Sequence, residues 1–338
     1  MGVNFYKEKN FLIRRVEMKD SWGREIDYLR ISLTESCNLR CIYCIPENFM
    51  PKFYNENMIL TKENIFDIIE ASVELNIKKI RLTGGEPLLR KDIVDIVKGI
   101  KDRGIEKIYI TTNGILLSEK IESLRDAGLS GVNISLDTLD REKFSFITRG
   151  GDIERVLQGI KKSLNLNLEV KINSVIMKGI NENAIDDLVK LTIDNKLDVR
   201  FIELMPIGQG KKFTGINNKD IYNRIEKSFE VDREYREIKG VSTYYKLKDS
   251  KGKIGFISPI NSCFCETCNK IRLTSDGIIK RCLNTKGNIN IKKYLDRNIG
   301  KNEIIEILKQ EIFNKPEKHL FGKVNEEEEL KNMNAIGG

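Results

Sequence analysis

Short runs of β-branched and other apolar residues alternate with helical patterns over about the first 205 residues. The predicted strands are residues 28–33, 79–83, 107–111, 132–136, 169–176 and 199–204. Between them, apolar residues recur at the spacing of one helix face, as in Ile65, Ile68, Ile69 and Val73. Six consecutive strand–helix units predict an α/β protein with a parallel sheet, built as an open doubly wound sheet or as a partial barrel.

The pattern changes beyond residue 205, so a full eight-unit barrel is not expected. Residues 219–229 and 303–313 predict helices, and residues 241–247 and 254–258 predict a hairpin. We therefore predict an N-terminal extension over residues 1–21 and a partial barrel over residues 22–215. Residues 216–338 are predicted to form a smaller C-terminal α+β domain.

Polar motifs follow the ends of the predicted strands. They are the cysteine loop that begins at Cys37, Gly84-Gly85-Glu86-Pro87, Asn113-Gly114, Ser135-Leu136-Asp137 and Glu203-Leu204-Met205. In parallel α/β folds, ligands bind at the carboxyl ends of the strands. This placement favours an enzyme over a structural protein.

The composition limits the cellular location and the classes of binding partner that the sequence supports. The chain has 338 residues, with 58 Lys and Arg against 50 Asp and Glu, for a net charge of +8. Nucleic acid, a nucleoside triphosphate and plain solubility all fit that charge, but the basic residues form no arm, which argues against nucleic acid. No run approaches the roughly 18 apolar residues of a membrane span, and the N-terminus resembles no signal peptide. A cytoplasmic protein without a membrane partner is expected.

Seven cysteines fall into two clusters, and the first is Cys37-x3-Cys41-x2-Cys44. An odd number of cysteines in a cytoplasmic protein argues against a disulfide framework. Three thiolates within eight residues can hold a [4Fe–4S] cluster and leave one iron open for a ligand. Structural zinc would need a fourth ligand from a distant part of the chain. We therefore favour iron–sulfur at this site.

The second cluster is Cys265-x2-Cys268-x13-Cys282, with Cys263 as a spare thiol. Four cysteines in this segment would also suit a zinc site that stabilises a small domain. The spacing by itself leaves zinc and iron–sulfur open here.

Arg30, Arg81 and Lys171 each lie between two apolar residues within a predicted strand. Because strand side chains alternate in direction, these cations face opposite to their apolar neighbours, into the lumen of a barrel. A buried cation needs a partner, and a phosphate or carboxylate would supply one. An anionic substrate is predicted. The lone His319 is interpreted as a packing residue.

The first cysteine motif, with Tyr43 before its last cysteine, resembles the signature of radical S-adenosylmethionine enzymes, and residues 84–87 resemble their second motif. Closer resemblance is to the GTP 3′,8-cyclase family, which makes the first intermediate of molybdenum cofactor. The stretches that carry it are residues 29–44, 79–90, 111–117, 133–137, 171–181, 200–205 and 264–283. The similarity covers nearly the whole chain, including Gly337-Gly338.

The resemblance implies a partial (β/α)6 barrel of the radical S-adenosylmethionine type and a C-terminal domain with a second [4Fe–4S] cluster. The implied cluster ligands are Cys37, Cys41 and Cys44 for the first cluster, and Cys265, Cys268 and Cys282 for the second. The implied S-adenosylmethionine contacts are Tyr43, Gly85, Ser135 and Met205. The implied GTP contacts are Arg30, Arg81, Thr111, Lys171, Lys270 and Arg272. Gly337 and Gly338 would reach into the active site.

Two positions depart from the family's pattern. Lys270 stands where the family often has arginine. That contact keeps its positive charge but loses the two parallel hydrogen bonds that a guanidinium can donate. Cys263 matches no ligand position and is interpreted as a bystander thiol.

The implied activity converts GTP to (8S)-3′,8-cyclo-7,8-dihydroguanosine 5′-triphosphate. A 5′-deoxyadenosyl radical would take the 3′ hydrogen of the ribose, and the resulting carbon radical would attack C8 of guanine. Radical chemistry needs no general base, so neither Glu86 nor Asp137 is expected to act as one. The implied partners are a flavodoxin or ferredoxin type electron donor and a downstream cyclic pyranopterin monophosphate synthase, and a homodimer is one option.

Two rival functions stay open at this point. A radical S-adenosylmethionine enzyme that modifies a peptide would share the first motif and the barrel, but it would not need the inward cations. A non-catalytic zinc or iron–sulfur protein could bind nucleic acid through its basic charge, with strong salt dependence.

Overall fold

The structure is a computed structural model that describes residues 18–49, 58–262, 264–319, 321 and 331–337. Most of the predicted N-terminal extension lies outside the described residues, as do Cys263 and Gly338. Within the described part, no helix is long and apolar enough to cross a membrane.

Six parallel strands form the central sheet, and each boundary lies within two residues of its prediction. They are β1 (Tyr28–Ser32), β2 (Lys79–Thr83), β3 (Lys107–Thr112), β4 (Gly131–Ser135), β5 (Glu169–Ser174) and β6 (Leu197–Ile202). The strands pair in sequence order from β1 to β6. A doubly wound sheet would reverse this order near its middle. The sequential order, with right-handed crossovers, places every connecting helix on one face and gives the partial barrel.

Helices follow the strands and cover the outer face of the sheet. They are α1 (Lys62–Glu74), α2 (Ile93–Asp102), α3 (Leu117–Asp126), α4 (Arg141–Thr148), α5 (Ile153–Asn165) and α6 (Ile185–Asp194). The first helix begins with a capping box, in which Asn64 N–H donates to Thr61 Oγ1 (3.1 Å) and Thr61 N–H donates to Asn64 Oδ1 (3.2 Å). Its apolar stripe of Ile65, Ile68 and Ile69 is buried, as the helical spacing predicts.

The C-terminal residues extend the same sheet at both edges. Their strands are β7 (Val231–Lys239), β8 (Ser242–Leu247), β9 (Ile254–Ile257), β10 (Lys270–Leu273), β11 (Ile278–Lys280) and β12 (Ile289–Asn290). The predicted hairpin is confirmed as β8 and β9, and β9 pairs in parallel with β6. At the other edge, β10 pairs in parallel with β1. The domain boundary between residues 215 and 216 stays a prediction.

Four more α-helices belong to the described fold. They are α7 (Asn218–Ser228), α8 (Lys292–Leu295), α9 (Lys301–Phe313) and α10 (Met333–Ile336). The two predicted helices correspond to α7 and α9, and α9 packs against α1 on the outside of the barrel.

The two faces of the central strands differ in chemistry. On β1, Leu29 and Ile31 are buried in the apolar core, whereas Arg30 between them lines an internal cavity. On β2, Ile80 and Leu82 join the same core, and Arg81 lines the same cavity. The alternation of side chains therefore places apolar residues under the helices and cations inside the barrel, as predicted.

Candidate active site

Three arginines stand side by side on the inner face of the sheet. Arg30 on β1 is in register with Arg272 on β10 and with Arg81 on β2. Neighbouring strands are roughly 4.8 Å apart, so the three positive side chains are close together. Burial lowers the pKa of Arg30, and the charge of Arg272 lowers it further. A layer of this kind favours a bound anion.

The inner face lines a cavity of ≈ 470 Å³, within the usual range for small-molecule sites. All six predicted GTP contacts line it, namely Arg30, Arg81, Thr111, Lys171, Lys270 and Arg272. Met205, predicted to contact S-adenosylmethionine, lines it as well, together with Cys265, Cys268 and Cys282. The predicted substrate-binding residues and the second cysteine triad thus line the same cavity.

The two cysteine triads lie at opposite ends of the barrel strands. Cys37 follows the carboxyl end of β1, whereas Cys268 precedes the amino end of β10, which runs parallel to β1. Since β11 is antiparallel to β10, Cys282 after β11 returns to the same amino end. A five-residue strand spans roughly 15 Å, so the cavity separates the two triads by about that length.

The first triad has the donor chemistry of an iron–sulfur site. Leu39 N–H donates to Cys37 Sγ (3.4 Å), and the Asn113 side-chain amide donates to the same sulfur (3.7 Å). Burial raises the pKa of Cys44 to about 12 and that of Cys41 well above its usual range. Grouped buried thiols ionise only beside positive charge, which iron would supply. The residues present fit the cluster predicted for them.

Asp137 anchors the first cysteine loop to the ends of two strands. Tyr43 O–H donates to Asp137 Oδ2 (2.8 Å), and Val175 N–H donates to Asp137 Oδ1 (2.8 Å). Burial raises the pKa of Asp137 to about 6, although these two hydrogen bonds lower it. Both carboxylate oxygens are engaged, so Asp137 positions the loop through Tyr43.

Gly85 and Glu86 join the end of β2 to the cysteine loop. A Cβ at Gly85 would lie 2.3 Å from Ser36 O and 2.5 Å from Glu35 O, so only glycine allows this approach. The buried Glu86 carboxylate accepts hydrogen bonds from Leu88 N–H (3.0 Å), Thr112 O–H (2.8 Å) and Asn113 N–H (2.7 Å). Burial raises the pKa of Glu86 to about 7.

The second triad lies in a strongly cationic setting. Burial raises the pKa of Cys268, but the charges of Lys315, Lys270 and Arg272 outweigh it, and the net pKa is lowered. His319 N–H donates to Cys265 Sγ (3.4 Å). A stabilised thiolate is the form that binds a metal or a cluster, so this triad also fits the group predicted for it.

Among the described residues, no three His, Cys, Asp or Glu side chains converge closely enough to hold a single metal ion. The cluster assignments therefore rest on the sulfur-only donor set, on N–H donation to sulfur and on the neighbouring charges.

Gly337 reaches the inner face of the barrel. Its carbonyl oxygen accepts hydrogen bonds from Arg30 Nη2 (3.3 Å) and Arg272 Nη1 (3.2 Å). Its φ is +68°, and a Cβ there would lie 2.9 Å from Thr83 Cγ2 and 3.1 Å from Ser32 Cβ. A glycine is required by both conformation and space. The described part of the tail thus meets two predicted GTP contacts.

Among the polar residues that line the cavity, those that sequence reasoning missed include Tyr28, Lys79, Tyr109 and Arg200. Lys79 lies two residues before Arg81 on the same strand, so the two-residue period could have identified it. Arg200 lies between Val199 and Phe201, which is the pattern used for Arg30. By contrast, Tyr43, Gly85 and Ser135 lie outside this cavity, at or beyond the carboxyl ends of the strands.

The comparisons agree with this geometry. Residues 31–192 match the radical SAM superfamily, and residues 197–321 match a family described as Molybdenum Cofactor Synthesis C. The partial barrel with a cysteine triad after its first strand defines a radical S-adenosylmethionine enzyme.

Several curated relatives carry the name GTP 3′,8-cyclase. One, from Clostridium perfringens (strain 13 / Type A), is 47% identical over 324 residues, which cover 95% of this chain and 100% of the relative. Another, from Peptoclostridium acidaminophilum, is 45% identical over 306 residues and covers 89% of this chain and 92% of the relative. The chain belongs to the GTP 3′,8-cyclase family.

A solved structure supports the fold alone. The structure of Streptococcus suis SuiB bound to S-adenosylmethionine matches with a TM-score of 0.59 at 16% identity, and covers 84% of this chain and 68% of that chain. The prediction of a partial barrel of the radical S-adenosylmethionine type is confirmed.

Proposed function

We propose that this protein is a radical S-adenosylmethionine enzyme that converts GTP to (8S)-3′,8-cyclo-7,8-dihydroguanosine 5′-triphosphate, the first step of molybdenum cofactor biosynthesis. The observation that carries the proposal is the cation-lined cavity that the second cysteine triad also lines, in a chain that matches relatives of that name over nearly its full length. A polyanionic substrate of nucleotide size fits this space.

The inner-face cations would bind the triphosphate. Arg81 and Lys171 lie on β2 and β5, so they approach a ligand from two sides of the cavity. Lys171 Nζ lies 3.4 Å from Glu169 Oε2 and 3.9 Å from Asp198 Oδ2. A bound phosphate would compete with these carboxylates for the ammonium group. Arg30, Thr111, Lys270 and Arg272 complete the proposed GTP contacts.

Two iron–sulfur clusters would supply the redox and metal chemistry that amino-acid side chains lack. The first [4Fe–4S] cluster, held by Cys37, Cys41 and Cys44, would supply the one-electron chemistry that generates an abstracting radical from S-adenosylmethionine. Tyr43, Gly85, Ser135 and Met205 are the proposed S-adenosylmethionine contacts. A second cluster at Cys265, Cys268 and Cys282 would bind the guanine end of GTP, because that triad lines the same cavity as the cations.

The protein's own contribution is positioning. One hydrogen leaves C3′, a bond forms between C3′ and C8, and one electron and one proton are then added, so the product is an isomer of GTP. Glu86 and Asp137 have their carboxylate oxygens engaged in hydrogen bonds that hold the loop and strand ends. These contacts support the expectation that neither residue acts as a general base.

Several finer predictions accompany the proposal. They are the flavodoxin or ferredoxin type electron donor, the downstream cyclic pyranopterin monophosphate synthase, the cytoplasmic location and the homodimer. The peptide-modifying rival is not favoured, because such an enzyme would have no need for the row of inward arginines.

Anaerobic turnover tests the proposal. Reconstituted protein with reductant, S-adenosylmethionine and GTP should produce 5′-deoxyadenosine and, in equal amount, an isomer of GTP with unchanged mass. The Cys41→Ser variant should produce neither. Formation of 5′-deoxyadenosine without the GTP isomer would exclude GTP as the substrate.

A further inference from the structure

Arg81 is held by the protein before any ligand binds. Only 6% of the residue is exposed. Its Nε–H donates to the hydroxyl of Tyr28, and its Nη1 donates to Thr111 Oγ1 (3.3 Å). Among the described residues, nothing accepts a hydrogen bond from Nη2. The protein therefore engages Nε and Nη1 of the guanidinium, and Nη2 is left to donate to a ligand in the cavity.

Two tyrosines flank the cations of β2, and we call Tyr28 and Tyr109 the aromatic clamp. The Arg81 guanidinium carbon lies 5.7 Å from the centre of the Tyr28 ring and 5.4 Å from that of the Tyr109 ring. Lys79 Nζ lies 4.8 Å and 4.6 Å from the same two centres. Both cations thus lie within cation–π distance of both rings.

The two hydroxyl groups of the clamp have different partners. Tyr109 O–H donates to Glu169 Oε1 (2.9 Å), away from the arginine. The Tyr28 hydroxyl instead accepts a hydrogen bond from Arg81. Tyr28 also stands in register between Lys79 and Lys270, in the centre of the cationic layer. Of the two clamp hydroxyls, only that of Tyr28 therefore contacts the Arg81 guanidinium and can orient it.

We propose that Tyr28 is a positioning residue for the triphosphate, because its hydroxyl orients the Arg81 fork toward the cavity. The inference rests on the proposed function, since it concerns how the same cavity binds GTP. Fixing a long side chain in advance lowers the entropy that binding must remove, so the gain appears as substrate affinity.

The test compares Tyr28→Phe with Tyr109→Phe, a matched pair that removes one hydroxyl from each side of the clamp and keeps both rings. Dissociation constants for GTP and for guanosine are measured at pH 6.5 on cluster-reconstituted protein without S-adenosylmethionine or reductant. We expect Tyr28→Phe to weaken GTP binding about 5- to 10-fold and guanosine binding less than about twofold. Tyr109→Phe should change GTP binding less than about twofold. In turnover, Tyr28→Phe should raise KM for GTP with kcat unchanged.

A double-mutant cycle makes the test specific. In an Arg81→Ala background, Tyr28→Phe should have no further effect on GTP binding, because the group that it orients is absent. Iron content and the unfolding temperature check that each variant folds. If Tyr28→Phe loses iron, Arg81→Lys serves instead, because lysine keeps the charge but cannot donate to Tyr28 and Thr111 at once. That variant should weaken GTP and spare guanosine.

If the wild-type protein binds GTP, two results would overturn the role of Tyr28 without affecting the proposed function. One is equal GTP affinity of Tyr28→Phe and wild type, or of Arg81→Lys and wild type where that variant is used. The other is an equal loss of GTP and guanosine binding, which indicates a general structural role. A wild-type protein that does not bind GTP overturns the proposed function, and this inference with it.

Discussion

At the residue scale, Tyr28 shows how a layer of cations changes one side chain. Burial raises the pKa of Tyr28, but Arg81, Arg30, Lys79 and Lys270 together lower it to about 7. Across the clamp, burial and the nearby Glu169 carboxylate raise the pKa of Tyr109. The difference comes from the neighbours, since the residue type is the same.

This difference predicts a pH dependence of GTP binding. In the cavity without an anion, Tyr28 loses its proton as the pH passes about 7. A bound triphosphate adds negative charge, which raises the pKa of Tyr28, so binding takes up a proton. The affinity of wild type should therefore fall between pH 6 and pH 8, by up to about tenfold more than that of Tyr28→Phe.

Isothermal titration at pH 6, 7 and 8 measures this difference. The Tyr28→Phe variant is the control, because it shares the titration of GTP itself and lacks the Tyr28 hydroxyl. Parallel pH profiles for the two proteins would show that Tyr28 does not change its ionisation when GTP binds.

At the element scale, the periodicity of apolar residues predicted the strands and helices whose formation depends on residues close together in the chain. The strands β1 to β6 follow from alternation and β-branched residues, and α1 from its capping box and apolar stripe. Pairing between distant strands has no such local signal. The sequence predicted the β8–β9 hairpin, but not that β9 would join β6 or that β10 would join β1. The short β11 and β12 have too few residues for a periodic pattern.

The residues of the candidate site also fall into those that a local pattern predicts and those brought together from distant parts of the chain. Arg30, Arg81 and Lys171 were found from alternation, and the cysteines from their spacing, because both signals are local. The contact of Gly337 with Arg30 and Arg272 joins three distant parts of the chain, so residue patterns alone could not predict it. The family resemblance supplied the expectation that the tail enters the site.

Gly85→Ala tests the junction between β2 and the cysteine loop. The added Cβ would collide with two backbone oxygens, Ser36 O and Glu35 O, which cannot rotate away as a side chain would. We expect a displaced loop, loss of iron from the first site and a lower unfolding temperature, with a cost of at least about 1 kcal/mol. Iron analysis and thermal unfolding measure both effects.

Gly300→Ala is the control for this prediction, since a Cβ there would meet nothing within 4 Å. It should keep full iron and lose less than about 1 kcal/mol. If Gly85→Ala matches Gly300→Ala in iron content and stability, the close approach does not hold the loop.

At the scale of the whole molecule, one sheet places the second cysteine triad in the wall of a cationic cavity and the first triad beyond the opposite ends of the strands. Cys37 follows the carboxyl end of β1, and Cys268 precedes the amino end of β10, its parallel neighbour. The C-terminal strands at both edges of the sheet make this possible. Under the proposed function, GTP would bind between the two cysteine triads.

Metal analysis of two variants tests whether each cysteine triad holds its own iron–sulfur cluster. Wild type should hold about eight iron atoms per chain, and Cys41→Ser and Cys268→Ser should each hold about four. Cys41→Ser should form no 5′-deoxyadenosine, whereas Cys268→Ser should still cleave S-adenosylmethionine but not cyclise GTP. About four iron atoms and one zinc in wild type, with the zinc lost in Cys268→Ser, would instead assign zinc to the second triad.

Hydrogen transfer from the ribose of GTP to 5′-deoxyadenosine distinguishes GTP cyclisation from other radical S-adenosylmethionine reactions. The reconstituted protein would be given reductant, S-adenosylmethionine and GTP deuterated at the ribose C3′, and mass spectrometry would follow 5′-deoxyadenosine. The proposed function predicts deuterium in the 5′-deoxyadenosine, because the abstracted atom comes from C3′. Unlabelled 5′-deoxyadenosine from protein with both clusters would contradict GTP cyclisation at C3′, although the radical S-adenosylmethionine chemistry would stand.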